Sequence, residues 1–373
     1  MRTEVMGDGN RLCCCHLADC TIDFLPSKGQ LYKACLHTHT IVSDGNFSPK
    51  EIKRRYKALG YSVVAFTDHE LLHRHDELAD DTFLPLAGLE IALWSHKYDP
   101  KNPNEPIDRV HLNFLATRPD VIAQPWLDAR QCARYAKRDN GILAGWKPTS
   151  DELAAARREA HVGEHPDMSR YFDAETVRSL VREAKMAGFL VALNHPRWSH
   201  LSLADANTFE GLWAVEVYNR DSEQSAYGED DFFYEALLRG GRNPGLRCLA
   251  TDDAHFDDHI GHGWVNVRAE CLDYGSIIEA LRAGHFYSST GPEILEARLA
   301  GDVLHVRTSP CVFVRLIWDG WSMDLIPQDI SPNLTSVEWG LASIRGCSDG
   351  TIRLVAEDSR GGMAWTNAVE YRL

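Results

Sequence analysis

Short apolar runs alternate with amphipathic helical stretches from residue 31 to about residue 292, and this alternation is the feature that most constrains the fold. The first two runs, residues 31–36 and 61–67, have the length and composition of buried strands. Between them, the motif SPKE at residues 48–51 is a capping box with proline at the first helical position, and Gly60 ends the predicted helix. Strands that alternate with helices are typical of an α/β architecture.

Five further apolar runs continue the pattern at residues 83–91, 109–115, 189–194, 212–218 and 246–251. Two more helices have clear ends: one begins after Asp173 and ends at Gly188, and the other begins after Asp273 and ends at Gly284. From about residue 293, short runs are separated by Gly, Asp, Ser and Pro, which predicts antiparallel strands in a small β-sandwich. We therefore predict a lead-in segment at residues 1–30, a large α/β domain at 31–292 and a β-rich domain at 293–373.

Composition excludes several classes of protein. The net charge of −15 argues against nucleic acid as a partner, because a phosphate-binding surface needs a basic field. No apolar run approaches the roughly 20 residues of a membrane helix, and the N-terminus has no apolar core of a secretory signal. We expect a cytoplasmic protein that acts on a small molecule, with no nucleic-acid or membrane partner and with a homo-oligomer left open.

The ten cysteines are scattered, except for a cluster formed by Cys13, Cys14, Cys15, His16 and Cys20. Such a cluster could bind a soft metal, but adjacent cysteines cannot easily share one tetrahedral ion. We favour reduced thiols in a cytosolic segment, since a chain of this length needs no disulfide framework.

Polar side chains with metal-binding chemistry stand at or beside nearly every predicted strand end. His37 and His39 are two residues apart, so on a strand they point to the same side and can reach one ion. Chance or a satisfied core is the alternative explanation for that pair alone. The nine candidates are His37, His39, Asp44, His69, Glu90, His111, His195, Asp253 and His255. Six imidazoles and three carboxylates are too many for one ion and predict a cluster of two or three divalent ions, with Mn, Zn or Fe all suited.

Six motifs in this order resemble the PHP (polymerase and histidinol phosphatase) family. They are HTHTIVSDG, TDHE, the Glu of AGLE, the His of HLNFLA, NHP and DDAH, and they span residues 37–255. The resemblance implies a distorted (β/α)7 barrel that holds a di- or trinuclear metal centre. EVYNR, HFYSSTGPEI and the β-rich tail resemble a narrower branch that includes carbaryl-hydrolase-like proteins.

Carried over to these positions, the resemblance implies three metal sites. His37, His39, Glu90 and Asp253 would hold the first ion. Glu90 would bridge to a second ion, held also by His111 and His195. Asp44, His69 and His255 would hold the third, where some relatives have histidine in place of Asp44.

Three residues outside the ligand set are candidates for catalysis. Arg197 and Arg220 follow predicted strand ends, where a guanidinium could clamp a phosphate or carboxylate, although surface salt bridges would explain them equally well. His262 follows DDAH closely and is a candidate proton donor to a leaving group. Asp68 is expected to support its neighbour His69.

The sequence leaves three functions open. The first is a phosphoesterase, in which a hydroxide bridging two ions attacks a small phosphorylated substrate. The second keeps the metals but cleaves a carbamate, amide or ester bond. The third is a metal-binding scaffold without turnover, whose β-rich domain is the interaction surface.

Overall fold

The computed structural model describes residues 21–94, 109–121, 124, 172–228, 230–301, 303–319, 321–325, 334–340 and 350–371. The Cys13–Cys20 cluster lies outside these residues. Among the described residues, no helix is long and apolar enough to span a bilayer.

Six helices are described, and the predicted capping signals form the ends of three of them. They are α1 (Pro49–Ala58), α2 (Ala174–Ala187), α3 (Leu203–Ala206), α4 (Arg220–Gln224), α5 (Asp231–Gly240) and α6 (Tyr274–Ala283), with single 3-10 turns at Asp76–Leu78 and Asp257–His259. Ser48, Asp173 and Asp273 each accept a backbone N–H from the first turn of the following helix. Gly188 and Gly284 close α2 and α6 in the left-handed region, at φ values of 93° and 77°. The capping predictions for these helices are confirmed.

All seven strands predicted between residues 31 and 251 are present. They are β2 (Gln30–Cys35), β3 (Val63–Phe66), β4 (Leu84–Trp94), β5 (Arg109–Ala116), β6 (Phe189–Asn194), β7 (Ala214–Asn219) and β8 (Arg247–Thr251), after a short β1 (Thr21–Asp23). Strands β2 to β8 are neighbours in chain order within one 14-stranded sheet. The chain therefore has a mixed α/β fold, as predicted.

The predicted distorted (β/α)7 barrel is not confirmed, because the sheet formed by the described residues stays open. β9 (Trp264–Ala269) pairs antiparallel with β2 and occupies the edge that β8 would need for closure. In place of a strand ladder, the segments after β2 and β8 form an isolated parallel bridge between Thr38 and Ala254. Gly263 leads into β9 so close to β8 that a Cβ there would lie 2.5 Å from the Thr251 carbonyl oxygen, which leaves room only for glycine.

β5 also departs from the predicted barrel, since it runs antiparallel to both β4 and β6. Its first residues therefore lie beside the carboxyl ends of its neighbours. His111, near the start of β5, pairs with Ala92 on β4 and with Asn194 at the end of β6. The reversed strand brings His111 to the same edge of the sheet as the other candidate ligands.

The C-terminal strands form two layers over a shared apolar core. They are β10 (Phe286–Ser289), β11 (Ile294–Ala300), β12 (Val303–Cys311), β13 (Phe313–Trp318), β14 (Trp321–Leu325), β15 (Leu334–Gly340), β16 (Gly350–Glu357), β17 (Met363–Thr366) and β18 (Val369–Tyr371). One layer is the four-stranded sheet β1-β11-β12-β15, and the other continues from β17 through β10 into the large sheet. Side chains of both layers meet in one core, Leu299 and Leu304 from the first and Leu316 and Leu354 from the second. The layers match the expected sandwich, while the predicted domain boundaries stay a prediction.

Candidate metal centre

His37 and His39 lie directly after β2 and are completely buried. Backbone hydrogen bonds fix this segment on the sheet, because the N–H of His39 donates to the Ala254 carbonyl and the N–H of Asp253 donates to the His37 carbonyl. The same contacts place Asp253, which follows β8, beside both imidazoles. The predicted convergence of these three residues is present in the structure.

The first group of ligand atoms has the dimensions of a tetrahedral metal site. The Nε2 atoms of His37 and His39 are 3.1 Å apart, and Asp253 Oδ1 lies 3.1 Å from each of them. Glu90 Oε2 lies 3.5 Å from His37 Nε2 and 3.2 Å from His39 Nε2. Ligands bound at about 2.0–2.1 Å to a tetrahedral ion are about 3.3 Å apart. These four side chains therefore fit one divalent cation.

The two carboxylate oxygens of Glu90 face different groups. Oε2 faces the first group, whereas Oε1 lies 3.0 Å from His111 Nδ1 and 3.4 Å from His195 Nε2. The side-chain amide of Asn194 donates to the same Oε1 at 2.8 Å and fixes the carboxylate. This arrangement is the one that a carboxylate bridging two ions requires.

A third group of ligand atoms lies near Nδ1 of His39, whereas Nε2 of the same ring faces the first group. Asp44 Oδ1 is 3.4 Å from His39 Nδ1 and 3.4 Å from His255 Nε2, and Asp44 Oδ2 is 3.7 Å from His69 Nε2. The structure therefore assembles Asp44, His69 and His255 as expected and adds the second ring nitrogen of His39. All nine predicted ligands lie in one cluster, and their binding of metal stays a prediction.

Burial and opposite charge compete for the protonation of these groups. Burial alone would raise the pKa of Glu90, but the surrounding imidazoles hold it well below its usual range. For His69, burial outweighs the neighbouring carboxylates and lowers the pKa to about 3. An ionised Glu90 and a neutral His69 are both in the form that binds a metal ion.

Glu216 on β7 contacts the candidate metal centre and was missed as a site residue in the sequence. Its Oε1 accepts hydrogen bonds from His37 Nδ1 at 2.8 Å and from the Thr251 hydroxyl at 2.7 Å. Its Oε2 accepts from the backbone N–H of His195 and from the Asn219 side-chain amide. Because a carboxylate only accepts, Glu216 places the His37 proton on Nδ1 and turns the lone pair of Nε2 toward the first group. The motif EVYN at residues 216–219, where the apolar run at residues 212–218 ends, was the signal available in the sequence.

Two further buried aspartates hold loops rather than ligand imidazoles. Asp68 was expected to support His69, but its carboxylate accepts from the N–H and hydroxyl groups of Thr40 and Ser43, in the loop that carries Asp44. Asp252 accepts three backbone N–H groups of the turn at residues 261–263 and the hydroxyl of Tyr56. Both residues act on the positions of loops around the cluster.

The three residues predicted for catalysis lie outside the nine-ligand cluster. His262 is exposed in the turn held by Asp252. Arg220 pairs with Glu223 one helical turn away and donates to the Asp258 carbonyl, which matches the salt-bridge alternative. Arg197 is exposed after β6, with its backbone N–H 3.5 Å from Asp230 Oδ2. Catalytic roles for all three stay predictions.

A fourth group was not expected from the sequence. Ligand atoms of Asp221, His255 and His259 lie within 4.8 Å of one another, and Asp221 Oδ1 is 3.6 Å from His259 Nδ1. His259 is almost completely buried, with only 3% of its surface exposed. The group shares His255 with the third site and extends the cluster toward α4.

Comparisons with known proteins give weak similarities. No family model matches the chain. Uncharacterized protein MJ1295 of Methanocaldococcus jannaschii is 25% identical over 121 residues, which cover 29% of this chain and 55% of that protein. The chain thus spans about half the length of this curated relative.

Solved structures with similarity to the chain include two metal-dependent or hydrolytic proteins. A two-domain protein from Bacteroides vulgatus, containing a predicted PHP-like metal-dependent phosphoesterase, is 14% identical at a TM-score of 0.38, covering 94% of this chain and 97% of that one. An amidohydrolase from Chromobacterium violaceum is 17% identical at a TM-score of 0.37, covering 66% and 96%. TM-scores this low establish no shared function, and the carbaryl-hydrolase-like branch is not confirmed. The chemistry of this chain has to follow from its own residues.

Proposed function

We propose that this chain is a metal-dependent hydrolase of the PHP type that cleaves a phosphate ester in a small molecule. The observation that carries the proposal is the position of Glu90, whose two oxygens face two separate groups of ligand atoms. A carboxylate shared in this way holds two ions at the separation used in two-metal hydrolysis, about 3.5–4 Å. A scaffold without turnover needs no such shared ligand.

The side chains present fit two or three divalent ions of Mn, Zn or Fe, with the three groups as the respective sites. Such ions lower the pKa of water from about 15.7 to about 7 and offset negative charge on a reacting phosphate. The chain supplies the positions of the ligands. Glu216 orients His37, Asn194 orients Glu90, and Asp68 fixes the loop before Asp44. This fixed arrangement keeps the reorganisation needed during the reaction small.

A phosphate ester suits this site better than a carbonyl bond because a third group lies directly beside the first two. A third cation, held by Asp44, His69 and His255, would add positive charge to stabilise a phosphate that carries up to two negative charges. A carbamate, amide or ester is neutral at the bond that breaks, so a third cation has less to stabilise. Cleavage of a carbonyl bond stays the second candidate.

The proposal is tested by hydrolysis of three substrates after chelation and readdition of Mn, Zn or Fe. The substrates are p-nitrophenyl phosphate, bis-p-nitrophenyl phosphate and 1-naphthyl methylcarbamate. We expect metal-dependent release of p-nitrophenol and its loss in the His37→Ala variant. Carbamate cleavage with unreactive phosphate esters would assign the carbonyl branch, and bound metal with no turnover of any substrate would favour the scaffold.

A further inference from the structure

A cavity of about 400 Å³ lies at the end of the large sheet opposite the metal-ligand cluster. Its wall includes the first residues of β6 and the residues that precede β7 and β8. The carboxyl ends of the same three strands lead to His195, Asn219 and Asp253. β8 rises about 13 Å from Arg247 to Thr251, and Asp253 lies beyond that end of the strand. The cavity is therefore separate from the candidate metal centre.

Three basic side chains and one acidic side chain line this cavity. The basic ones are Lys185 at the end of α2, Arg247 at the start of β8 and Arg282 at the end of α6, and the acidic one is Glu370 on β18. Arg282 pairs with Glu279 one helical turn away. The ammonium of Lys185 lies over Gly211, since a Cβ added to that glycine would be 3.2 Å from Lys185 Nζ. The local excess of positive charge contrasts with a net charge of −15 for the chain.

Arg247 is the polar group that marks the cavity as a binding site. Only 9% of its surface is exposed, and its guanidinium packs so closely on Gly284 that a Cβ there would lie 2.4 Å from Arg247 Cζ. One of its Nη groups donates to the Ala283 carbonyl, while its buried Nε–H has no hydrogen-bond partner among the described residues. Arg247 lines the cavity and forms no ion pair with a carboxylate among the described residues, so an anion in the cavity would offset the charge of this largely buried guanidinium.

The rest of the wall is apolar and includes an aromatic side chain. Phe189, Leu212, Trp213 and Pro244 contribute to it. The indole N–H of Trp213 is already bonded to the Leu281 carbonyl, so the ring presents mainly apolar surface to the cavity. A volume in this range, with apolar walls and a few charged groups, is typical of a site for a small organic ligand.

We propose that this cavity is a second binding site, for a small organic anion whose carboxylate or phosphate contacts Arg247 and Lys185 and whose apolar body packs on Trp213. The site does not depend on the proposed hydrolase activity, because it shares no residue with the metal-ligand cluster.

The test is titration of the metal-loaded protein with 3-phenylpropionate, phenylphosphonate and inorganic phosphate, followed by calorimetry and tryptophan fluorescence. The informative variant is Lys185→Glu, which reverses an exposed charge at the end of a helix and leaves the core unchanged. The matched control is Lys50→Glu, the same exposed charge reversal on α1, which contributes no residue to the cavity. Arg282→Ala is a second, milder variant.

We expect one of the two aromatic anions to bind saturably to the wild type and to Lys50→Glu, and at least tenfold more weakly to Lys185→Glu. The preferred aromatic anion then identifies the head group. Absence of saturable binding, or equal affinity in the two charge reversals, would overturn the proposal. Inorganic phosphate that binds as tightly as the aromatic anions would also overturn it, since the apolar wall would then have no role.

Discussion

Replacing Glu216 with glutamine should weaken metal binding without unfolding the protein. Four donors converge on this carboxylate: His37 Nδ1, the Thr251 hydroxyl, the His195 backbone N–H and the Asn219 amide. Glutamine has one acceptor oxygen and one NH2 group, so two of the four neighbours would face a donor. The backbone N–H of His195 can only donate a hydrogen bond. The oxygen of the glutamine should therefore face this N–H, and its NH2 group should face His37.

That NH2 group forces His37 into the other tautomer. Its Nδ1 would then accept, and the proton would move to Nε2, the atom 3.1 Å from both His39 Nε2 and Asp253 Oδ1. A protonated Nε2 cannot bind a metal ion. Loss of an orienting partner of a ligand imidazole lowers metal affinity by about 10–100-fold. We expect a weakening in this range for the first ion in Glu216→Gln.

The assay is competition of the protein with a chromophoric chelator for Zn or Mn, with circular dichroism to verify the fold. Thr251→Val is the matched control, because it removes one donor to the same Oε1 atom and leaves the His37 tautomer unchanged. We expect its affinity to stay within about threefold of the wild type. A Glu216→Gln variant that binds metal as tightly as Thr251→Val would refute the tautomer argument.

Two further predictions concern stability. Arg353 is 2% exposed and joins β16 to Asp231 and Glu235 of α5, so Arg353→Ala should lower the free energy of unfolding in urea by about 3 kcal/mol. Arg315→Ala breaks a half-exposed ion pair in the same sheet and should lower it by less than about 1 kcal/mol. Equal losses in the two variants would contradict the importance of burial. Burial raises the pKa of Asp230 to about 7, so the folded state holds its proton more tightly and loses stability as pH rises from about 4 to 7. The stability of Asp230→Asn relative to the wild type should therefore grow by about 2.5 kcal/mol between pH 5 and 7.5, and a difference that does not vary with pH would contradict this.

Local signals were sufficient to predict the elements and most of the cluster. Proline and serine at the start of α1 and the glycines after α2 and α6 act within one helical turn, so their effect is readable in the sequence. The candidate ligands were found because they follow or lie within apolar runs, and strands of one sheet bring such positions together. His37 and His39 needed only the two-residue repeat of an extended chain.

What the sequence did not show depends on pairing between distant segments. The antiparallel course of β5 follows from its position between β4 and β6, and the open sheet follows from β9 taking the edge of β2. Glu216 orients a histidine 179 positions away, and nothing within its own strand indicates that partner. Asp68 illustrates the same point, since its partners lie in the loop at residues 40–43 rather than at its neighbour in sequence.

The central claim, that the nine clustered side chains bind divalent metal ions, is tested most directly by counting the ions. The measurement is elemental analysis of the purified protein after chelation and reloading with Mn, Zn or Fe, for the wild type and for the Glu90→Gln variant. We expect two or three ions per wild-type chain and the loss of at least one in Glu90→Gln, because Glu90 faces two of the groups. Fewer than one ion per wild-type chain, or an unchanged count in the variant, would contradict it.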